Sequence, residues 1–475
     1  MKKIIKTFTA AATVVALSCT LLLAGCTVSL GADGRDGQDV SIYDIFEQTN
    51  AARREEGLEE LTFLEFVSEY LSYDSEELAQ MTSLQTAINR SLLSSVQVTA
   101  AFTETSSNTG NYPFWQPGGG TQTQSYVSQG SGVIIDANKE EGDMYVVTNC
   151  HVVYSANADE TYSTDVDVYL YGSEYSIYTN NGEDYYIDDT NAIPATIIGA
   201  SLNYDIAVLK VDDSEAVKRS NVLAADWCED EHVPVGETVY AIGNAAGDGI
   251  SATNGIVCVD SEYISLDMYD TSSNYNDDFT YRTVRTSVPI YSGNSGGGLF
   301  NADGELVGII NSKTTAASYG EYSDNISHAL PAANVRRVVK SMIERYEQTG
   351  SATYGVYSVD LGFDVETASS TAYWNNTANL VDIIETVEVS SIDSGSWAEN
   401  NLQAGDIIKS IEIKASGSDG GTSESIEVTR EYNVKEVLLS AREGDCITIT
   451  VTRAGEENPV SYTTTITSAS MRQYI

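Results

Sequence analysis

Positive charge is scarce in this sequence. Lys and Arg number 25 against 69 Asp and Glu, a net charge of −44 over 475 residues. Such a surface repels phosphate backbones, which argues against a nucleic-acid partner, and its plainest use is solubility. Cysteine is sparse as well: six residues, irregularly spaced, with no CxxC and no metal-ligand spacing. That excludes a disulfide framework and offers no metal site. Histidine is scarcer still, at three, so any chemistry needing an imidazole base has few candidates. Apolar residues are not lacking. They make up 42%, enough for packed cores, and the length argues for two or three domains.

The first residues read as an address. MKKIIK is basic, an apolar run follows, and it ends in Leu23-Ala24-Gly25-Cys26. A secretory leader would end in a small-x-small cleavage site. This one resembles a bacterial lipobox, with residues 1–25 as signal peptide and Cys26 as the lipidated first residue of the mature chain. An uncleaved membrane anchor is the alternative, and either reading puts the rest outside the cytoplasmic membrane. Loss of Lys2, Lys3 and Lys6 leaves the mature chain more acidic still. Attachment would then rest on lipid, and one diacylated cysteine supplies two acyl chains. Cys19 leaves with the leader. Cys150, Cys228, Cys258 and Cys446 are expected to be mostly buried free thiols, with a single bridge left open.

Residues 26–40 read as a flexible tether, because the three Gly-x-Asp triplets at 31–39 are too few and too poor in proline for a collagen helix. A helical segment is expected over 41–95. Ser41 can cap a helix running to about Gly57, and Thr62 with Glu65 forms a capping-box pattern ahead of apolar residues at helical spacing to Leu71. Residues 105–130, rich in Gly, Ser, Thr and Gln, read as a loop. From 131 the texture changes to short β-branched or aromatic runs such as SGVIID, MYVVTNCHVV, DIAVLKV and LVGIIN, split by turn residues. Many short strands without helical periods between them read as an all-β barrel or sandwich. Residues 329–350 form a helix ending in Gly, a natural boundary. A further unit mixes strands with a short helix at VKEVLLSA. The domains expected are therefore 96–350 and 355–465. The acidic, Tyr-rich stretch 154–192 reads as a surface insertion.

The serine loop YSGNSGGGLF, residues 291–300, carries the chemistry. A serine hydroxyl needs a base within hydrogen-bond reach, and the base needs an orienting partner. His232 lies in a charged turn, CEDEHVPVG, and reads as a solvated surface residue. His328, in ISHALP, is expected on a strand. His151 is expected at the end of the buried strand MYVVTNC, where a polar ring needs a partner. Asp205 opens the apolar run IAVLKV, where a carboxylate must be hydrogen-bonded or charge-paired. His151, Asp205 and Ser295 are thus the residues to test.

VVTNCHVV, DIAVLKV, VYAIGNAAGDG and GNSGGGLFNADGELVGI resemble the trypsin-like serine proteases of the HtrA (DegP-like) family over roughly residues 95–345. The resemblance implies a chymotrypsin-like double β-barrel, with Ser295 as nucleophile, His151 as general base and Asp205 orienting the imidazole. It also implies that the amides of Gly293 and Ser295 form an oxyanion hole, and that no cofactor is needed. The run RTSVPIYSGNSGG departs from the family pattern at Ser287, Pro289 and Tyr291, which bears on the substrate pocket, drawn here from Pro289 and Ile290. GNSGG also fits the nucleophile elbow of α/β-hydrolases. That fold needs an acid and then a histidine after the serine, and only His328 follows, 33 residues on.

VDLGFDVE, SGSWAENNLQAGDIIKSI and EGDCITITVTRAG in the last unit resemble a PDZ domain, with Leu361-Gly362-Phe363 as the loop that takes a peptide's terminal carboxylate. The fold expected is therefore mainly β: a double-barrel protease domain, then a PDZ domain, with a short helical N-terminal segment. The function implied is an extracytoplasmic, lipid-anchored serine endopeptidase acting on unfolded or damaged exported polypeptides. A homotrimer is an assembly consistent with the family. A catalytically idle peptide-binding scaffold and a processing protease dedicated to one substrate are the alternatives.

Overall fold

The computed structural model describes residues 49–51, 53–54, 58, 84–107, 121–174, 176–180, 184–268, 277–313, 326–417, 422–456 and 458–474. The leader, Cys26, the tether and the helix expected at 62–71 lie outside the described residues. Of the helix expected from Ser41, residues 49–51 and 53–54 are described and helical. Residues 87–475 form one compact unit.

The first sheet begins after helix α1 (Leu84–Leu92). Its strands are β1 (Ser95–Ser107), β2 (Thr121–Asn138), β3 (Asp143–Thr148), β4 (Asp165–Leu170), β7 (Ile193–Ser201) and β8 (Ile206–Val211). A single helical turn, α2 (Cys150–Val153), follows β3, and β5 (Ser176–Asn180) with β6 (Asp184–Asp188) forms a separate ribbon. The order is β7-β4-β1-β2-β3-β8, and β7 pairs back onto β8, so the sheet closes on itself. Closure removes exposed edges and places alternate side chains inside. Val96, Val98, Val146, Val168 and Leu209 fill that interior.

Beyond α3 (Glu215–Arg219), six strands close a second barrel: β9 (Thr238–Asn244), β10 (Ile250–Met268), β11 (Asp277–Thr286), β12 (Gly298–Asn301), β13 (Leu306–Lys313) and β14 (Ser327–Pro331). Val239, Val257, Val284, Leu299 and Ile310 form its core. Helix α4 (Ala332–Thr349) ends at Gly350 in the left-handed conformation. It leads through β15 (Thr353–Tyr354), parallel to β7, into β16 (Val356–Val359).

The remaining strands are β17 (Phe363–Asn375), β18 (Leu380–Ile392), β19 (Ile407–Lys414), β20 (Glu424–Glu427), β21 (Cys446–Thr452), β22 (Val460–Thr465) and β23 (Met471–Tyr474), with helix α5 (Glu431–Val437) between β20 and β21. The sheet order is β17-β18-β19-β21-β22, β20 adds to β19, and β23 pairs with β16. In β21, Ile447, Ile449 and Val451 are buried while Thr448 and Thr450 pair across to β22. That alternation is the period-2 pattern of a sheet with one wet face.

Four expectations change. Much of 105–130 is strand: β1 and β2 pair in continuous register from Ser95↔Val133 to Ser107↔Thr121, and only 108–120 lies outside the described residues. Thr103–Ser125 and Thr105–Thr123 contacts and a Phe102–Tyr126 stack at 5.5 Å support it, so polar side chains on both faces hid the strand. The stretch 154–192 is not all insertion, because β4 is part of the first barrel. His151 lies in the turn α2 rather than on a strand. Of the four cysteines, Cys150 and Cys228 are buried, Cys446 is half-buried and Cys258 is exposed; all four are free.

Candidate active site

Asn149, His151 and Asp205 come from the first barrel; Ser295 and Asn311 come from the second. Asp205 ends the turn from Leu202 with φ of +48°, a left-handed conformation that Asp tolerates better than most side chains. The Tyr281 hydroxyl, from the second barrel, donates to Leu202 O at 2.7 Å and holds that turn. The Asp205 carboxylate is fully buried and accepts three hydrogen bonds. They come from His151 N at 2.9 Å, His151 Nδ1 at 2.7 Å and Asn311 Nδ2 at 2.5 Å. Asn149 Nδ2 donates to Asp205 O at 2.8 Å. The three donors to the carboxylate replace the water that a buried acid loses.

The His151 ring is about one-third exposed, at 31%. Burial lowers its pKa, but the charge and hydrogen bond of Asp205 outweigh this, and the net shift is upward from 6.5. The contact at Nδ1 leaves Nε2 as the nitrogen that can exchange a proton with another group.

The Ser295 hydroxyl donates to Asn311 O at 3.1 Å. Its loop is tied to the first barrel by Ser131, which is buried. Ser131 N donates to Ser295 O at 2.8 Å, and Ser131 Oγ donates to Gly293 O at 2.7 Å while accepting from Asn244 N at 2.7 Å. Glycine is required where this loop passes other backbone. A Cβ on Gly293 would lie 2.2 Å from Asn244 O, and one on Gly296 would lie 2.2 Å from Ser131 O; both residues have positive φ. Among the described residues, the amides of Gly293 and Ser295 donate to no acceptor. They are thus available to a ligand oxygen.

Pro289 is half-buried and its carbonyl accepts from Thr253 Oγ1 at 2.7 Å, while Ile290 packs into the second-barrel core. His232 is exposed. His328 is buried on β14, 3.3 Å from Thr283 Oγ1 and from Glu262 Oε1, and burial together with the charge of Arg285 pushes it down to about 4. Ser295 is followed by a turn and strand β12, not the helix a nucleophile elbow needs. Asn311 and Ser131 are the residues the sequence did not single out; they read there as ordinary members of LVGIIN and SGVIID.

Leu361 is buried, Gly362 has φ of +77°, and Phe363 opens β17. Beside them lies a groove of about 370 Å³, walled by Val434, Lys435 and Leu438.

A buried Asp bonded to a part-exposed His on one barrel, beside a serine loop on a second, is the arrangement of trypsin-like peptidases. A family model described as a trypsin-like peptidase domain matches residues 130–309. More particularly, the chain is similar to HtrA/DegP-type serine proteases. It is 29% identical over 345 residues to periplasmic serine endoprotease DegP of Salmonella typhimurium, covering 71% of this chain and 60% of that protein. It is 28% identical over 339 residues to serine protease Do-like HtrA of Lactococcus lactis, covering 70% and 69%. A probable periplasmic serine endoprotease DegP-like of Brucella suis is 30% identical over 285 residues, covering 60% and 44%. The chain thus spans between 44% and 69% of the length of these relatives. Among solved structures it is similar to the HtrA-type protease AlgW with decapeptide, with a TM-score of 0.45, 22% identity, and 81% and 98% of the two chains covered.

Proposed function

We propose that this protein is a serine endopeptidase of the extracytoplasmic space that degrades or processes unfolded or damaged exported polypeptides. The observation that carries the reading is the His151–Asp205 couple: Nδ1 is held at 2.7 Å and the same residue's backbone amide at 2.9 Å by one buried carboxylate. Asp205 fixes the tautomer that leaves Nε2 free to accept a proton. The Ser295 hydroxyl leaves Asn311 O, turns to His151 and attacks the scissile carbonyl as its proton passes to Nε2. The amides of Gly293 and Ser295 receive the developing oxyanion. His151 then gives that proton to the leaving amine, and an acyl ester remains on Ser295. Water, deprotonated by the same imidazole, hydrolyses it.

The test is Ser295→Ala and His151→Ala, each assayed on an unfolded protein and with a serine-directed fluorophosphonate. Activity should fall by on the order of 10⁴–10⁶ with little change in melting temperature. Undiminished proteolysis in Ser295→Ala would remove Ser295 from the mechanism. Absence of labelling in the unaltered protein would favour the idle scaffold instead. Substrate identification in a deletion strain separates a general degrader from a dedicated processing enzyme.

The last unit is read as a PDZ-like peptide-binding domain, supported by the order of its three sequence stretches and by the groove beside Leu361-Gly362-Phe363. Attachment through Cys26 is the reading for membrane location, consistent with the periplasmic relatives. Cys26→Ser should move the protein from the detergent phase to the aqueous phase. Homotrimer formation is checked by the mass of the full-length protein in solution.

A further inference from the structure

The loop expected to receive a peptide's terminal carboxylate already holds one. The Gly362 amide donates to Oδ1 of Asp360 at 2.7 Å, and Arg472 Nε meets Oδ2 of the same carboxylate at 2.6 Å. The backbone is fixed from the same direction, with Asp360 N donating to Ser470 O at 2.7 Å. The Asp360 side chain is 20% exposed and Arg472 is 64% exposed. Arg472 belongs to β23, so the C-terminal strand supplies the counter-charge that fastens Asp360 into the loop. An incoming α-carboxylate would have to displace Asp360 from both partners and remain beside it, and Asp364 and Asp393 line the same groove. Like charges at such distances repel strongly where water is partly excluded.

Across the rest of the groove, β17 and α5 are bridged by exposed side chains, with Thr367 Oγ1 donating to Glu431 Oε2 at 2.9 Å and Lys435 Nζ 3.9 Å from Asp364 Oδ1, contacts that an incoming segment would part. Strand β17 ends the order of its sheet, so among the described residues one edge of its backbone has no neighbouring strand there. Leu361, Phe363 and Val365 face Val434 and Leu438 of the α5 region across the groove. An edge strand beside an apolar wall takes an extended segment by strand addition, and this mode needs no chain end.

We propose that Asp360 is a built-in stand-in for the ligand carboxylate, so that this groove takes internal, extended apolar segments of unfolded polypeptide and does not select free C-termini. This inference rests on reading the last unit as a peptide-binding domain. It departs from the C-terminal specificity expected from sequence.

The test uses full-length protein carrying Ser295→Ala, so that bound peptide is not cut. A fluorescein-labelled peptide of about ten alternating Leu and Ser residues is titrated in two forms, free acid and C-terminal amide. With Asp360 present, the amide should bind at least as well as the acid. Asp360→Gly exposes the amide and removes the charge, and the acid should then gain about tenfold over the amide. Asp360→Asn, which keeps an acceptor for Gly362, should shift the ratio the same way by about threefold, and it serves if the glycine variant fails to fold. An acid preference of tenfold or more with Asp360 present overturns the proposal, as does an unchanged ratio in the folded variants. If the amide binds and the ratio never moves, the peptide groove survives and only the role of Asp360 falls. If neither peptide binds any of these proteins, the groove reading falls with it.

Discussion

Asn311 and Asp205 meet through a hydrogen bond of 2.5 Å from Nδ2 to Oδ2, linking the second barrel to the buried acid of the first. The carbonyl of the same Asn311 accepts the Ser295 hydroxyl. One residue therefore both steadies the acid and holds the serine hydroxyl. Asn311→Ala removes a bond to a charged group, an effect of about 1.5–3 kcal/mol. The expected result is a fall in kcat of about tenfold to a hundredfold with KM little changed. A fall confined to KM would place Asn311 in substrate binding instead.

His151 titrates above its ordinary value, because Asp205 more than offsets the effect of burial. A base must be neutral, so kcat/KM should rise with pH through an inflection displaced above 6.5. Asp205→Asn removes the charge and should move that inflection down, in the residual activity. The stability counterpart has the opposite sense. A raised folded pKa contributes stability that is full below 6.5 and is lost as pH climbs through the folded value. An inflection that stays put in Asp205→Asn would dissociate the two residues.

Gly293→Ala puts a Cβ 2.2 Å from Asn244 O at a position with φ of +97°. The loop must shift, at a cost on the order of 3 kcal/mol, and the Gly293 amide shifts with it. Proteolysis and fluorophosphonate labelling should both drop by about a hundredfold or more. Ser131→Ala, which frees the Gly293 carbonyl from the other side, should show a smaller loss of the same kind. Labelling at the unaltered rate in Gly293→Ala would mean that this amide does not serve the oxyanion.

Arg282 on β11 and Glu436 on α5 form a buried two-pronged ion pair, with Nη2 to Oε2 at 2.7 Å and the guanidinium 3.9 Å from the Tyr432 ring centroid. Truncating one partner leaves the other charge buried and should cost about 3–5 kcal/mol. Replacing both, as Arg282→Met with Glu436→Leu, should cost less than either single truncation. A calorimetric melt of the four proteins checks this. Additive losses would mean that the pair is not coupled.

Bond preference follows from a missing acid. Between Arg282 and Gly304 the one acidic residue is Asp303, which is exposed in the turn after β12. If the substrate pocket is floored by Pro289, as expected from sequence, a Lys or Arg entering it would lose hydration without a counter-charge, whereas a Val or Leu would gain roughly 1.5–3 kcal/mol by burial. Cuts in a digested unfolded protein should therefore follow small or medium aliphatic residues. A majority after Lys or Arg would mean that an acid from elsewhere reaches the pocket.

What the sequence by itself determined is the local grammar. Apolar runs of β-branched residues carry their strand period within themselves, so IAVLKV and TVYAIGN are legible without a partner. A glycine-ringed serine and a scarcity of histidines narrow the chemistry in the same local way. Tertiary structure alone decided the rest, because it depends on barrel closure and on contacts between distant residues. The polar strand 121–130 has no apolar face to announce it and exists through its register with β1. Asn311 reaches Asp205 across 106 residues, and nothing in LVGIIN marks that asparagine from any other. Asp360 accepts from Gly362 two residues on by local geometry alone, but its counter-charge, Arg472, arrives only when β23 pairs with β16.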